Sequence, residues 1–237
     1  MGLPRPRVRH EGAGLDWVVT SVIDNAQLAG IVALTLRVTG AALAVATILG
    51  VPVGAVLGLV RFPGRQLVRL VLYTGMGLPP VVVGLFVYMA LSRSGPFGPL
   101  GWLFTPSAMV VAQTIIAFPL VAGLTMSAVE SVSVCLRQQA AALGASRRQV
   151  AWMTLGEARI GVTAAIVAAF GAIISEVGSV MMVGGNIEGQ TRVLTTAIVL
   201  HTRQGEFAFA GALGAALIVL TLAANALLLR LQGRSRR

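Results

Sequence analysis

Five long apolar runs, separated by short polar or basic interruptions, set the frame of this 237-residue chain. Residues 38–60, 70–91, 108–129, 160–183 and 207–229 are each long enough to cross about 30 Å of hydrocarbon at ~1.5 Å per helical residue. Backbone groups inside a bilayer must bond one another, so the runs predict helices and an all-α, polytopic membrane bundle of about five transmembrane spans. Two shorter runs fail the length test. Residues 15–23 read as a surface or disordered lead-in, and residues 193–200 as a segment that dips into the outer leaflet or packs on the bundle. The division that follows is a peripheral lead-in over 1–27, a transmembrane domain over 28–231 and a basic tail over 232–237. Charges at Arg5, Arg7, Arg9, Glu11, Asp16 and Asp24 leave no apolar core for a cleavable signal peptide.

Small and cyclic residues sit at telling places within these runs. Gly50, Gly54 and Gly58 recur every four residues on one face of the first span, where they let another backbone approach closely. Pro52, Pro79 with Pro80, and Pro119 predict kinks that free backbone groups in the first three spans.

Composition confirms the membrane setting: 56% of residues are hydrophobic, 11% are charged and the mean hydropathy is +0.86, values that exclude an ordinary soluble domain. A net charge of +10 in a soluble protein would suggest nucleic acid. Here every basic residue is an arginine, and apart from Arg5, Arg7 and Arg9, which lie far from the first span, they cluster at the ends of apolar runs, so no nucleic-acid partner is expected. The loops after the first, third and fifth spans hold eleven arginines against three in the other loops. That bias places the N-terminus outside and the C-terminus in the cytoplasm, with Arg37 snorkelling outward and the last arginines anchoring on anionic lipid. The lone Cys135 excludes an internal disulfide or a multi-Cys metal site, and the isolated His201 is assigned no metal.

Two polar segments carry the candidate chemistry. The first is the basic-side loop containing Gln138, Gln139, Ala140, Gly144, Ala145, Ser146, Arg147 and Arg148. It reads as two short helices hinged at Gly144, with Ser146 and Gln149 forming a capping box at the start of the second. So Ala-rich a pair buries little by itself and is suited to docking on something in the cytoplasm.

The second segment begins with Ser175, Glu176 and Gly178 and continues through Gly184, Gly185, Asn186, Thr191 and Arg192. Glu176 is the one acid placed well inside a span, where an ionisable group must face the bundle or a cavity. At about 4 Å and an effective dielectric near 20 it would repel a dianion by roughly 8 kcal/mol, so it is not read as an anion ligand. A structural or gating role follows, with Glu176 paired to an arginine or bonded to backbone freed by Gly178; a proton site is the alternative. Asn186, Thr191 and Arg192 all donate hydrogen bonds and suit an anion at the outer mouth, or else hold their own loop together. Residues 184–191 also approach a phosphate-binding loop, but Gln190 stands where that loop needs Lys and no strand precedes it.

At Gln138, Gln139, Ala140 and Gly144 the chain resembles the permease subunits of ATP-binding-cassette importers, whose cytoplasmic loop carries Glu-Ala-Ala, three residues, then Gly. Gln138 replaces the Glu and Gln139 the first Ala. Ser175-Glu176-Val177-Gly178, the segment 181–189 and the run Thr191-Arg192-Val193-Leu194-Thr195-Thr196 look like the tungstate permeases, relatives of the molybdate and sulfate permeases. The resemblance implies a type I importer permease in a bacterial or archaeal inner membrane, paired as a homodimer. It further implies two cytoplasmic ATPase subunits that hold the ATP and Mg, and an external or periplasmic oxyanion-binding protein. The loop at 138–148 would be the coupling helix, and Ser175 to Arg192 would line the translocation path or gate. No cofactor and no catalytic residue are expected in this chain. Molybdate or sulfate as cargo, and a proton-coupled carrier working through Glu176, are the alternatives.

Overall fold

The computed structural model describes residues 25–234, which form ten α-helices and one 3-10 turn with no strand among them. In chain order these are α1 Asn25–Leu59, α2 Arg65–Met76, α3 Pro80–Leu91, the 3-10 turn Gly98–Leu100, α4 Pro106–Glu130 and α5 Val134–Ala142. There follow α6 Arg147–Glu157, α7 Arg159–Ile174, α8 Gly178–Gly184, α9 Leu194–Arg203 and α10 Phe207–Arg234. Expectations for residues 1–24 and 235–237 lie outside the described residues.

Three helices are long and apolar enough to cross a membrane alone, over Gln27–Leu59, Pro106–Glu130 and Phe207–Leu227. Two bent pairs also pass the test of length and composition when taken together, α2 with α3, bent by 101°, and α6 with α7, bent by 62°, for up to five in all; the second pair covers 147–174 rather than the expected run 160–183. Proline chemistry explains the first bend. Pro80 occupies the first turn of α3, where a missing N–H costs nothing, and Pro79 precedes it in extended backbone.

Two elements differ from the sequence-based expectation. Helix α1 begins at Asn25, well before Val38, because Arg37 does not interrupt it: Ile31, Thr35, Val38 and Ala42 form one continuous buried stripe. The run 160–183 is not one helix. It breaks at residues 175–177, so Glu176 lies in a gap between α7 and α8 and not inside a continuous span. Ser175 turns its hydroxyl back to the Gly171 carbonyl at 2.8 Å, a local bond that competes with helix propagation.

The long α1–α4 seam is the main packing contact. A Cβ built on Gly50 would lie 2.9 Å from Val121 Cγ1, one on Gly58 2.7 Å from Val129 Cγ1, and one on Gly54 would overlap the Ala122 carbonyl oxygen. The glycine stripe is therefore what lets the two backbones meet. Around this seam Ala42, Ala46, Ala117, Val121, Ala169 and Ile173 make one buried cluster, tying α7 to α1 and α4. A second cluster of Val83, Val87, Met109, Ala112, Val180 and Val183 fixes α3 and α8 on α4.

Candidate functional site

The two polar segments lie at opposite ends of α1. One cleft joins residues 27–37 of α1 to Glu188, Gly189 and Arg192; another joins Gly58 and Leu59 of α1 to Val134, Arg137, Gln138 and Ala141 of α5. From Arg37 to Gly58 the helix rises about 31 Å, one hydrocarbon thickness.

At the α5–α6 end the hinge is built from local bonds alone. Gly144 adopts φ +87°, its N–H bonds to the Ala141 carbonyl at 3.0 Å, and the Ala145 N–H reaches the Ala140 carbonyl at 3.0 Å. This 6→1 plus 5→2 pattern is a Schellman stop, which needs a residue free to take positive φ. Ser146 then starts α6: its Oγ accepts from the Gln149 N–H at 3.4 Å, and its own N–H donates to Gln149 Oε1 at 2.7 Å. Ala140, Gly144, Ala145 and Ser146 thus set the hinge geometry, while Gln138, Gln139, Arg147 and Arg148 are exposed around it.

Three features of this end were not singled out from the sequence. Leu143 at the tip is 89% exposed and Trp152 on α6 is 75% exposed, large apolar surfaces on a helix pair otherwise rich in Ala and Arg. Glu130, the last residue of α4, is clamped between Arg65 and Arg69 of α2, with Arg69 Nη2 at 3.2 Å from Oε2. Arg65 Nε also donates to the Leu57 carbonyl at 2.7 Å, so the ends of α1, α2 and α4 are joined just before the hinge begins. The available signals were a carboxylate closing an apolar run and an apolar tip between alanines, both weak by themselves.

At the opposite end, Glu176 caps the short helix α8: its Oε1 accepts from the Ser179 N–H at 2.8 Å, and its carbonyl accepts from the Thr195 hydroxyl of α9 at 3.0 Å. The backbone group freed by the break is therefore the partner of this carboxylate, and no arginine bonds it among the described residues. Gly178 and Gly84 allow the close approach of α3 and α8; a Cβ on Gly84 would lie 2.6 Å from Ser179 Cα.

The Gly-rich loop after α8 holds itself closed. Thr191, only 1% exposed, donates to the Gly184 carbonyl at 2.6 Å and accepts from the Ile187 N–H at 2.9 Å. Gly185 and Asn186 take positive φ, +71° and +52°, and the Ile187 carbonyl receives the N–H groups of Gln190, Thr191 and Arg192. Thr191 is spent on this closure, whereas Arg192 faces the cleft, paired with Glu188 at 3.4 Å. Ser175, Glu176 and Gly178 are thus separated from Asn186, Thr191 and Arg192 by the length of α8. The loop runs between helices, unlike the strand-to-helix turn of a nucleotide phosphate site.

Known proteins place this architecture. The chain is 46% identical over 213 residues to a probable anion ABC transporter permease protein of Haloferax volcanii, covering 88% of this chain and 92% of that one. It is 39% identical over 206 residues to the tungstate uptake system permease protein TupB of Peptoclostridium acidaminophilum, covering 87% and 90%. Its fold matches a chain of the MetNI methionine ABC transporter, seen in an inward-facing conformation, with a TM-score of 0.72 at 18% identity over 96% of this chain and 100% of that one. The sequence profile of the binding-protein-dependent transport system inner membrane components matches residues 50–237. The chain belongs to that family, as a permease that is helical over its described residues and a transport subunit rather than an enzyme.

Proposed function

We propose that the chain is the permease of an ATP-driven importer for a tetrahedral oxyanion, tungstate in the first place. Two copies enclose the path, the hinged α5–α6 pair docks on two cytoplasmic ATPase subunits, and an external binding protein delivers the anion. The observation that carries the coupling role is the exposed pair Leu143 and Trp152 on a helix pair whose shape is fixed by its own caps. Exposed apolar anchors of this kind are what a docking groove recognises. The choice of tungstate rests on the permeases named for anions and tungstate that share 46% and 39% of their aligned residues with this chain.

Force applied at the hinge has two routes into the bundle. Through α6 it reaches α7 across the 62° bend, and α7 ends at the break where Glu176 caps α8. Through α5 it reaches Glu130, whose two arginines belong to α2. Motion of packed helices in this manner changes which end of a path is open without requiring tight binding of the ion, and weak sites favour release. The orientation follows the arginine bias, with the α5–α6 end cytoplasmic and the Gly-rich loop outside.

The test is element-resolved uptake by proteoliposomes holding permease, ATPase and binding protein, with tungstate, molybdate and sulfate in competition. ATP-dependent tungstate accumulation, displaced last by sulfate, is the expected result. A preference for molybdate or sulfate would reassign the cargo. Uptake that persisted without the ATPase and collapsed with the proton gradient would replace the reading with a proton-coupled carrier.

A further inference from the structure

We propose that the cleft between the first turns of α1 and the Gly-rich loop is an anion subsite of the permease itself, and that the Glu188 carboxylate is its resting occupant, displaced when a tetrahedral oxyanion enters. The proposal rests on the oxyanion-import reading and adds to it a place, two cationic residues and an internal competitor.

The cleft has a volume of about 550 Å³ and takes one face of α1, through Gln27, Gly30, Leu34 and Arg37, against Glu188 and Arg192. Those α1 positions follow the i, i+3, i+7, i+10 spacing that puts residues on one side of a helix. Arg192 is largely withdrawn from water, its side chain 12% exposed, and its buried Nε has no hydrogen-bond partner among the described residues. Its one ion pair among the described residues, to Glu188 at 3.4 Å, is longer than the 2.7–2.9 Å of a good charge-assisted bond. A guanidinium has five N–H donors in a planar fork made for oxyanions. Arg192 is therefore underused by the partner it has.

Glu188 is held loosely. Its side chain is 68% exposed, and among the described residues its second oxygen accepts only from Gln27 Nε2, at 3.0 Å. A doubly charged oxyanion offers the same oxygens as the carboxylate with twice the charge, so it wins the arginines and drives Glu188 outward into water by like-charge repulsion. Space is already present: a side chain added at Gly30 or Gly189 would meet nothing within 4 Å. The phosphate of an anionic lipid shares this chemistry, and the experiment must separate the two sources.

Purified permease is melted in detergent against millimolar tungstate, molybdate and sulfate, and the full transporter is assayed for uptake in vesicles of phosphatidylcholine alone or with phosphatidylglycerol. The wild type is expected to show a saturable rise in Tm with oxyanion and uptake independent of phosphatidylglycerol. Arg37→Ala, which leaves the buried loop intact, and Gly30→Leu, which fills the cleft without removing charge, should each weaken the response about tenfold, the scale of one charge-assisted bond. Arg37→Lys should recover part of it, and Glu188→Gln should tighten it severalfold. A wild-type transporter that imports oxyanion while Arg37→Ala, Gly30→Leu and Glu188→Gln all respond like the parent would overturn the subsite alone. A response that follows phosphatidylglycerol and ignores oxyanion would overturn it in favour of a headgroup site. A wild-type transporter that imports no oxyanion would bring down the reading beneath it.

Discussion

The hinge at Gly144 and the break at Glu176 are both interruptions of helix by small and polar residues, yet they are held in opposite ways. The hinge closes its bonds within about one turn on either side, from Ala140 to Gln149. The break starts from local bonds of Ser175 and Glu176 but is fastened to distant chain: Gly84 makes room for Ser179, the Phe104 N–H bonds the Val183 carbonyl at 2.9 Å, and Thr35 of α1 accepts from the Leu194 N–H at 3.0 Å. A locally closed element keeps its shape when it moves as a unit; one fixed by long-range contacts moves only with the bundle. This difference suits the hinge to receive force and the break to report it at the far end of the path.

The comparison is broken most severely by forcing apart the long-range contacts. Gly84→Val places a branched side chain against the Ser179 backbone, and overpacking of this kind should cost about 3 kcal/mol. A large fall in the detergent Tm and in monodisperse yield is the expected outcome; an unchanged Tm would mean that α8 is not anchored as described. Next comes Trp152→Ala together with Leu143→Asp. These exposed positions should leave the Tm within about 0.5 kcal/mol of the parent, while retention of the ATPase falls about thirtyfold, the loss of a roughly 2 kcal/mol anchor. Full retention with both side chains gone would remove the docking role from this tip.

Smaller effects sharpen the contrast. Thr191→Val deletes a donor and an acceptor in a buried loop and should cost about 2 kcal/mol, read as faster amide exchange of residues 184–192. Ser146→Ala loses one cap, about 1 kcal/mol. Its exchange effect should be confined to the first turn of α6, leaving α4 and α7 protected, because the hinge bonds do not reach the bundle. Spread of the effect into α7 would show that the hinge is not self-contained.

Much of the hinge could be read along the chain. Gly144 with Ala140, and Ser146 with Gln149, are motifs whose partners lie a few residues apart, so spacing alone specifies the geometry. The glycine stripe at 50, 54 and 58 likewise announced a close helix contact, though not that α4 is the partner. Glu176 shows the opposite case. Hydropathy placed it inside a span because Val177, Val180 and Met181 continue the apolar run, and a window of apolar residues does not record where a serine back-bond and an acidic cap stop the helix. The clamp at Glu130 and the sharing of one cleft by Arg37 and Arg192 were equally out of reach, since the pairs are separated by 61 or more positions in the chain.

Sequence by itself determined the solvent this protein lives in, its helical class, the caps of its hinge and the arginine bias from which sidedness is argued, because each depends on composition or on neighbours within about one helical turn. Tertiary structure alone decided which helices the glycines join, which distant chain anchors α8, and that Arg37 and Arg192 share a cleft with Glu188. Those outcomes depend on packing between segments far apart in the chain, where the free energy of a contact belongs to both partners and is written in neither.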